Sequence, residues 1–115
     1  MIQRIGVIGA GQMGGGIAHV CALKGLQVKL LDVDQSSLDK SMEAMGGNMD
    51  RQIGRGLIKP DEKDAAMRRI QTGTDYAMFG ECDLVIEAAT ENEAVKREIF
   101  KKVCAVVPPT TLLAT

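Results

Sequence analysis

The residues whose spacing carries the most chemistry are Gly9-Ala10-Gly11-Gln12-Met13-Gly14, a G-x-G-x-x-G run that follows the apolar residues 5–8 and opens a helical pattern. Such a run suits a dinucleotide. Gly9 permits a tight turn out of a strand, Gly11 lets the backbone approach a pyrophosphate with no Cβ between, and Gly14 allows close helix-to-strand packing. Gln12 and Met13 belong to the same cradle. Unpaired N–H groups at the helix start and the positive end of its dipole, about half a unit charge, suit a diphosphate. Taken alone, the six residues also match an ordinary glycine-rich turn, so what flanks them decides.

The next candidate is Asp32, 23 positions after Gly9 and at the end of the apolar stretch Gln27-Val28-Lys29-Leu30-Leu31. That spacing puts an acid at the ribose of an adenosine half. Its carboxylate accepts hydrogen bonds from ribose hydroxyls, whereas a 2′-phosphate about 4 Å away meets repulsion of about 4 kcal/mol at an effective dielectric near 20. Val33, Asp34 and Gln35 follow, with no Arg or Lys to receive such a phosphate, so NAD is expected over NADP. The plainer reading of Asp32 is a solvated strand end. His19 stands inside the helical pattern without a second ligand or carboxylate at i±4 and reads as a surface or packed residue. Cys21, Cys82 and Cys104 are odd in number and lack a C-x-x-C pair, which predicts buried free thiols in a reducing compartment and no metal site.

The elements that position these residues follow from periodicity. Residues 5–8 form a short, nearly continuous apolar run, as in a central parallel strand buried on both faces. Residues 12–24 form a helix with Ile17, Ala18, Val20, Cys21 and Ala22 as its apolar stripe, and Gly25 falls where a left-handed cap belongs. With residues 27–32 as the second strand, this is a βαβ unit with a right-handed crossover. Asp34 caps a long helix carrying Leu38, Met42, Met45, Met49 and Ile53 on one face. That methionine stripe reads as core, or as an adaptable acyl-binding surface. Gly54, Gly56 and Pro60 break the pattern before a charged helix over residues 61–69, making a helical hairpin inserted before the third strand, for substrate contact or for packing alone.

Residues 70–74 form the third strand, residues 75–83 a polar connection with one helical turn at most, and residues 84–89 the fourth strand, beside the first. The ligand crevice opens between the carboxyl ends of those two neighbours. Thr90-Glu91-Asn92-Glu93 offers a capping box or an Asn cap for a helix with Val95, Ile99, Phe100, Val103, Val106 and Val107 facing inward, ended by Pro108-Pro109. Residues 112–115 make a fifth strand with no helix to cover it, so a truncated protein is expected. The fold class is α/β, a Rossmann-type doubly wound parallel sheet, incomplete at about five strands.

Composition narrows the function. The 115 residues are 45% hydrophobic with 14 basic against 15 acidic side chains, which offers no basic face for nucleic acid or an anionic membrane. Three aromatic residues, Tyr76, Phe79 and Phe100, are too few for a base-stacking platform. No apolar run approaches the roughly 18 residues of a membrane span, and Met1 leads directly into the first strand, so a soluble cytoplasmic protein is expected.

Three segments carry a family resemblance: G-A-G-Q-M-G-G-G-I-A around Gly9, Val28 to Asp32, and D-L-V-I-E-A-A-T-E-N-E-A-V-K-R-E-I-F from Asp83. Through them the chain resembles the amino-terminal cofactor domain of 3-hydroxyacyl-CoA dehydrogenases, especially the bacterial 3-hydroxybutyryl-CoA dehydrogenases. The resemblance implies that Asp32 holds the adenosine ribose and that Glu91 and Lys96 contact NAD near its nicotinamide ribose. Both start the helix after the fourth strand, where the alternative is a solvated helix end. It implies oxidation of a fatty acyl-CoA 3-hydroxyl to a ketone, with hydride passed to NAD and a histidine base oriented by a glutamate. The histidine, glutamate, loop serine and later asparagine are expected beyond the fifth strand, and the dimer contacts in a missing helical domain. Residues 1–115 are therefore expected to be a dinucleotide-binding domain that holds NAD without turnover, in a homo-oligomeric parent acting on acyl-CoA. Two other functions remain: a stand-alone NAD-responsive module read by a partner, and another 2- or 3-hydroxy acid dehydrogenase. An S-adenosylmethionine site shares the glycine turn and the acid, but the run into Gly15-Gly16-Ile17-Ala18 disfavours it.

Overall fold

The computed structural model describes residues 2–114, which build one parallel sheet flanked by helices. Its strands are β1 (Arg4–Ile8), β2 (Gln27–Leu31), β3 (Ile70–Gly73), β4 (Leu84–Glu87) and β5 (Leu112–Ala114). The helices are α1 (Gln12–Leu23), α2 (Gln35–Gly54), α3 (Pro60–Arg69) and α4 (Glu93–Cys104), and a 3₁₀ turn spans Tyr76–Phe79. The strand order β3-β2-β1-β4-β5 puts β1 at the centre, and Ile8 at its end lies opposite both Leu31 and Glu87. The chain reverses direction across the sheet between β1 and β4, which creates the expected switch point.

Both faces of the central strands are covered, which is why they lack polar alternation, whereas β5 at the edge leaves Leu112 and Leu113 exposed. Ile5, Val7, Val28 and Leu30 point into a core shared with α1, α2 and α3, whereas Ile8, Leu31 and Val85 point into a second core closed by Phe79, Ile99 and Val103. In α1 the small residues Ala18 and Ala22 are fully buried, and the helix ends on Gly25 at φ +94° with its N–H donating to Ala22 O. Leu38, Met45 and Met49 of α2 are buried and Met42 packs beside them, so the methionine stripe is core. Asp34 caps α2 by accepting from Ser36 N–H, and Asn92 caps α4 by accepting from Val95 N–H.

Several expectations need correction. Strands β2, β3 and β4 stop before Asp32, Thr74 and Ala88, and α4 stops at Cys104, although Val106 and Val107 still pack on the second core. Val20 is exposed because it sits two residues, about 200° of helix, from both Ala18 and Ala22. Val95 is exposed because the first turn of α4 stands beyond the end of β4, beside a hollow instead of over the sheet. Of the three free cysteines only Cys82 is buried, and burial pushes its thiol up to about 11. Cys21 is half-buried, and Cys104, one residue round from buried Val103, is exposed. Thr115, the expected last residue of the fifth strand, lies outside the described residues.

The amino-terminal end of the sheet is tied by Asp83, whose Oδ2 accepts from the N–H groups of Gln3 at 2.8 Å and Arg4 at 2.9 Å. Those two donors hold the Asp83 carboxyl below its ordinary value. A depressed folded value contributes stability that is fully present above the unfolded value, about 3.9, and is lost as pH falls through the folded one. Asp83→Asn is expected to lower the urea midpoint at about pH 7, by a difference that shrinks as pH falls below about 3.9 and through the lower folded value. A midpoint difference that stays constant with pH contradicts this role.

Candidate functional site

The site is built at the carboxyl ends of β1, β2 and β4. Gly9 leaves β1 at φ +101°, where a side chain is strained, and a Cβ there would lie 2.8 Å from Ala89 Cα. Its N–H donates to Leu31 O at 2.7 Å, while Ala88 N–H donates to Ile8 O at 2.8 Å. The glycine turn is thereby laced to both neighbouring strand ends. Gly14 sits against the turn so closely that a Cβ would stand 1.7 Å from Gly9 O. A Cβ on Gly11 would meet no protein atom within 4 Å, so its absence leaves room on the open side.

Helix α1 begins here without a cap. Among the described residues no side chain bonds its first N–H groups, whereas the starts of α2, α3 and α4 are bonded by Asp34, Glu62 and Asn92, and its first turn holds no acid. Gln12 and Met13 are exposed at this start. The uncompensated positive end is what an anion requires.

Asp32, just past β2, is half-buried and faces the turn: its Oδ2 accepts from Ala10 N–H at 2.9 Å and its Oδ1 from Asp34 N–H at 3.0 Å. It is therefore more than a solvated strand end. A carboxylate has about four acceptor positions, so two remain for a ligand. Beside it lies a hollow of about 270 Å³ lined by Gly9, Asp32, Val33, Tyr76, Ala89 and Val95 among others. Val33 and Val95, 81% and 46% exposed, are apolar walls of it, although the sequence placed Val95 on the inward face of its helix. Tyr76 meets Phe79 edge-to-face at 6.2 Å, and burial, with the nearby carboxylates of Glu87 and Asp32, raises its phenol above the ordinary value.

Glu91 is exposed at the approach to α4, and its carboxylate takes no hydrogen bond among the described residues. Lys96 is half-buried in the first turns of α4, with Nζ 3.9 Å from Oε1 of Glu87. Glu87 was not a sequence candidate, and among the described residues it is the one buried carboxylate. A second hollow of about 300 Å³ opens between α1 and α2, lined by Gly11, Gly16, His19, Lys40, Ser41 and Asn48 among others. His19 itself is packed, with Nε2 2.8 Å from Gln52 Oε1 on α2.

A family model described as the 3-hydroxyacyl-CoA dehydrogenase NAD binding domain matches residues 4–115. The chain is similar to a 3-hydroxybutyryl-CoA dehydrogenase of Bradyrhizobium diazoefficiens, 44% identical over 115 residues that are 100% of this chain and 39% of that protein. A fatty acid oxidation complex subunit alpha of Psychrobacter cryohalolentis is 38% identical over 99% of this chain and 16% of its own length. The crystal structure of (S)-3-hydroxybutyryl-CoA dehydrogenase from Ralstonia eutropha superposes with a TM-score of 0.95 at 34% identity, covering 99% of this chain and 41% of that one. The chain thus spans about two-fifths of the length of such dehydrogenases.

The contact between Gly14 and Gly9 makes a paired prediction. Gly14→Ala is expected to destabilise the chain by about 2 kcal/mol or more, since backbone must move. Gly16→Ala, in the same helix with open space around it, is expected to stabilise by about 0.5–1 kcal/mol. Equal effects in urea unfolding contradict the steric account.

Proposed function

The chain belongs to the family of 3-hydroxyacyl-CoA dehydrogenase NAD-binding domains, and on that premise we propose that residues 1–115 are the dinucleotide-binding domain of an oxidoreductase. That enzyme oxidises a 3-hydroxyacyl-CoA, 3-hydroxybutyryl-CoA in the first place, to the 3-oxoacyl-CoA and passes hydride to NAD. The observation that carries the reading is Asp32 bonded to Ala10 N–H beside the uncapped start of α1. One end of the crevice favours a diphosphate and the other favours hydroxyls. Bound NAD supplies the hydride acceptor, and everything else here is holding and orientation.

Gly9, Gly11 and Gly14 give the pyrophosphate access to the N–H groups of Gln12 and Met13. Asp32 accepts from the adenosine ribose and repels a 2′-phosphate, which selects NAD over NADP. Val33 and Val95 flank a hollow of a size for adenine, and Glu91 with Lys96 serves the nicotinamide ribose. The only histidine, His19, is bound to Gln52 on α2 and supplies no base to the crevice. These residues alone therefore hold the cofactor without turnover. The acyl-CoA substrate, the place in fatty acid metabolism and homo-oligomeric assembly are proposed for the longer enzyme, in the cytoplasm. Free cysteines accord with that compartment, and no helix among the described residues is long and apolar enough to cross a membrane.

Asp32→Asn is expected to weaken NADH binding about tenfold, or about 1.4 kcal/mol, in a fluorescence titration. Undiminished affinity would remove Asp32 from the site. The 115-residue chain is expected to oxidise NADH with acetoacetyl-CoA no faster than a denatured control, and measurable turnover would refute that part of the proposal. A longer enzyme carrying this domain is expected to reduce acetoacetyl-CoA. Reduction of free acetoacetate alone would move it to another hydroxy acid dehydrogenase class.

A further inference from the structure

Glu87 ends β4 at the switch point, and Ser41 is the only other buried polar residue among those described. Its side chain has no exposure, on the sheet face whose other inward residues, such as Val85, are apolar. Oε2 accepts from the N–H groups of Ala89 and Thr90, the latter at 2.9 Å. Oε1 accepts no hydrogen bond from any described residue, and Lys96 Nζ lies 3.9 Å from it. A carboxylate taken out of water is costly unless it is held by donors and a countercharge, and packing here calls for neither.

We propose that Glu87 is a positioning residue of the cofactor site, acting through Lys96 and through the bend at Ala89 and Thr90. The bend is a wall of the crevice: Ala89 and Thr90 line the hollow beside Asp32, and Ala89 backbone occupies the space that a Cβ on Gly9 would need. Oε2 fixes that wall. Oε1 faces the ammonium of Lys96, whose side chain is only 21% exposed, and draws it to the crevice mouth before any ligand arrives. The ordering of Lys96 is thereby completed on folding and no longer opposes binding. This assignment rests on the NAD-binding reading above.

Glu87→Gln separates the two roles, because its amide oxygen still accepts from Ala89 and Thr90 while the charge facing Lys96 is gone. NADH affinity is measured for the parent chain, Glu87→Gln, Lys96→Met and the double variant, with thermal melts alongside. Each single variant is expected to bind about tenfold more weakly, and the double variant no more weakly than Lys96→Met, because both act on one contact. A Glu87→Gln protein that melts normally and binds within about twofold of the parent overturns the proposal. So does a double variant weakened by about a hundredfold, the mark of independent effects. A folded parent chain that binds no NADH overturns the cofactor reading itself, and this assignment with it. Should Glu87→Gln not fold, the lysine ammonium NMR signals of the ligand-free parent chain decide. One solvent-protected signal that disappears in Lys96→Met supports the tether, and its absence overturns it.

Discussion

Helix α1 can start where it does only because Gly14 has no side chain. A single Cβ at that position would lie 1.7 Å from the carbonyl oxygen of Gly9, inside any permitted contact, so the first turn of the helix and the turn out of β1 must separate or lack it. Everything at the crevice inherits that approach. It sets Ala10 N–H within 2.9 Å of Asp32, leaves the first N–H groups of α1 uncapped, and brings Gly9 against the bend that follows β4. Three strand ends are thus fixed to one turn by backbone hydrogen bonds and a steric limit, with little left to side-chain choice.

The charges around that turn are divided by position. The positive end of α1 points to the open side, while Asp32 and Glu87 put negative charge at the ends of β2 and β4. Tyr76 senses both carboxylates, which together with burial hold its phenol protonated to higher pH. A ligand with phosphates at its centre and hydroxylated sugars to either side matches this division. One carrying a further phosphate at the Asp32 end does not, since like charges at hydrogen-bonding range repel by several kcal/mol in a partly desolvated site.

The βαβ core was legible in the residues because its determinants are local. An apolar run, a glycine turn, an alanine-lined helix and an acid at fixed spacing specify the first two strands, and the structure follows them to within a residue or two. The place of β4 beside β1 and the helical hairpin before β3 also follow the sequence reading. What escaped is decided by neighbours distant in the chain. Glu87 lies inside the stretch 84–89 that reads as the fourth strand, and only the packing of α4 makes it a buried carboxylate facing Lys96. Val95 has the right helical spacing for a core residue, but the helix turn that carries it stands past the sheet. Cys104 has the composition of a core residue and lies on the outer face of α4. Asp32 and the glycine turn, in contrast, meet as their spacing in the sequence implies, because that spacing is itself the geometry.

The most direct test is a calorimetric titration of the 115-residue chain with NADH and, in the same buffer, with NADPH. Saturable NADH binding at least tenfold tighter than NADPH, a difference of about 1.4 kcal/mol, is the predicted result. Equal affinity for the two, or no heat with either from a sample that circular dichroism shows to be folded, would contradict the account. The glycine turn would then be packing alone.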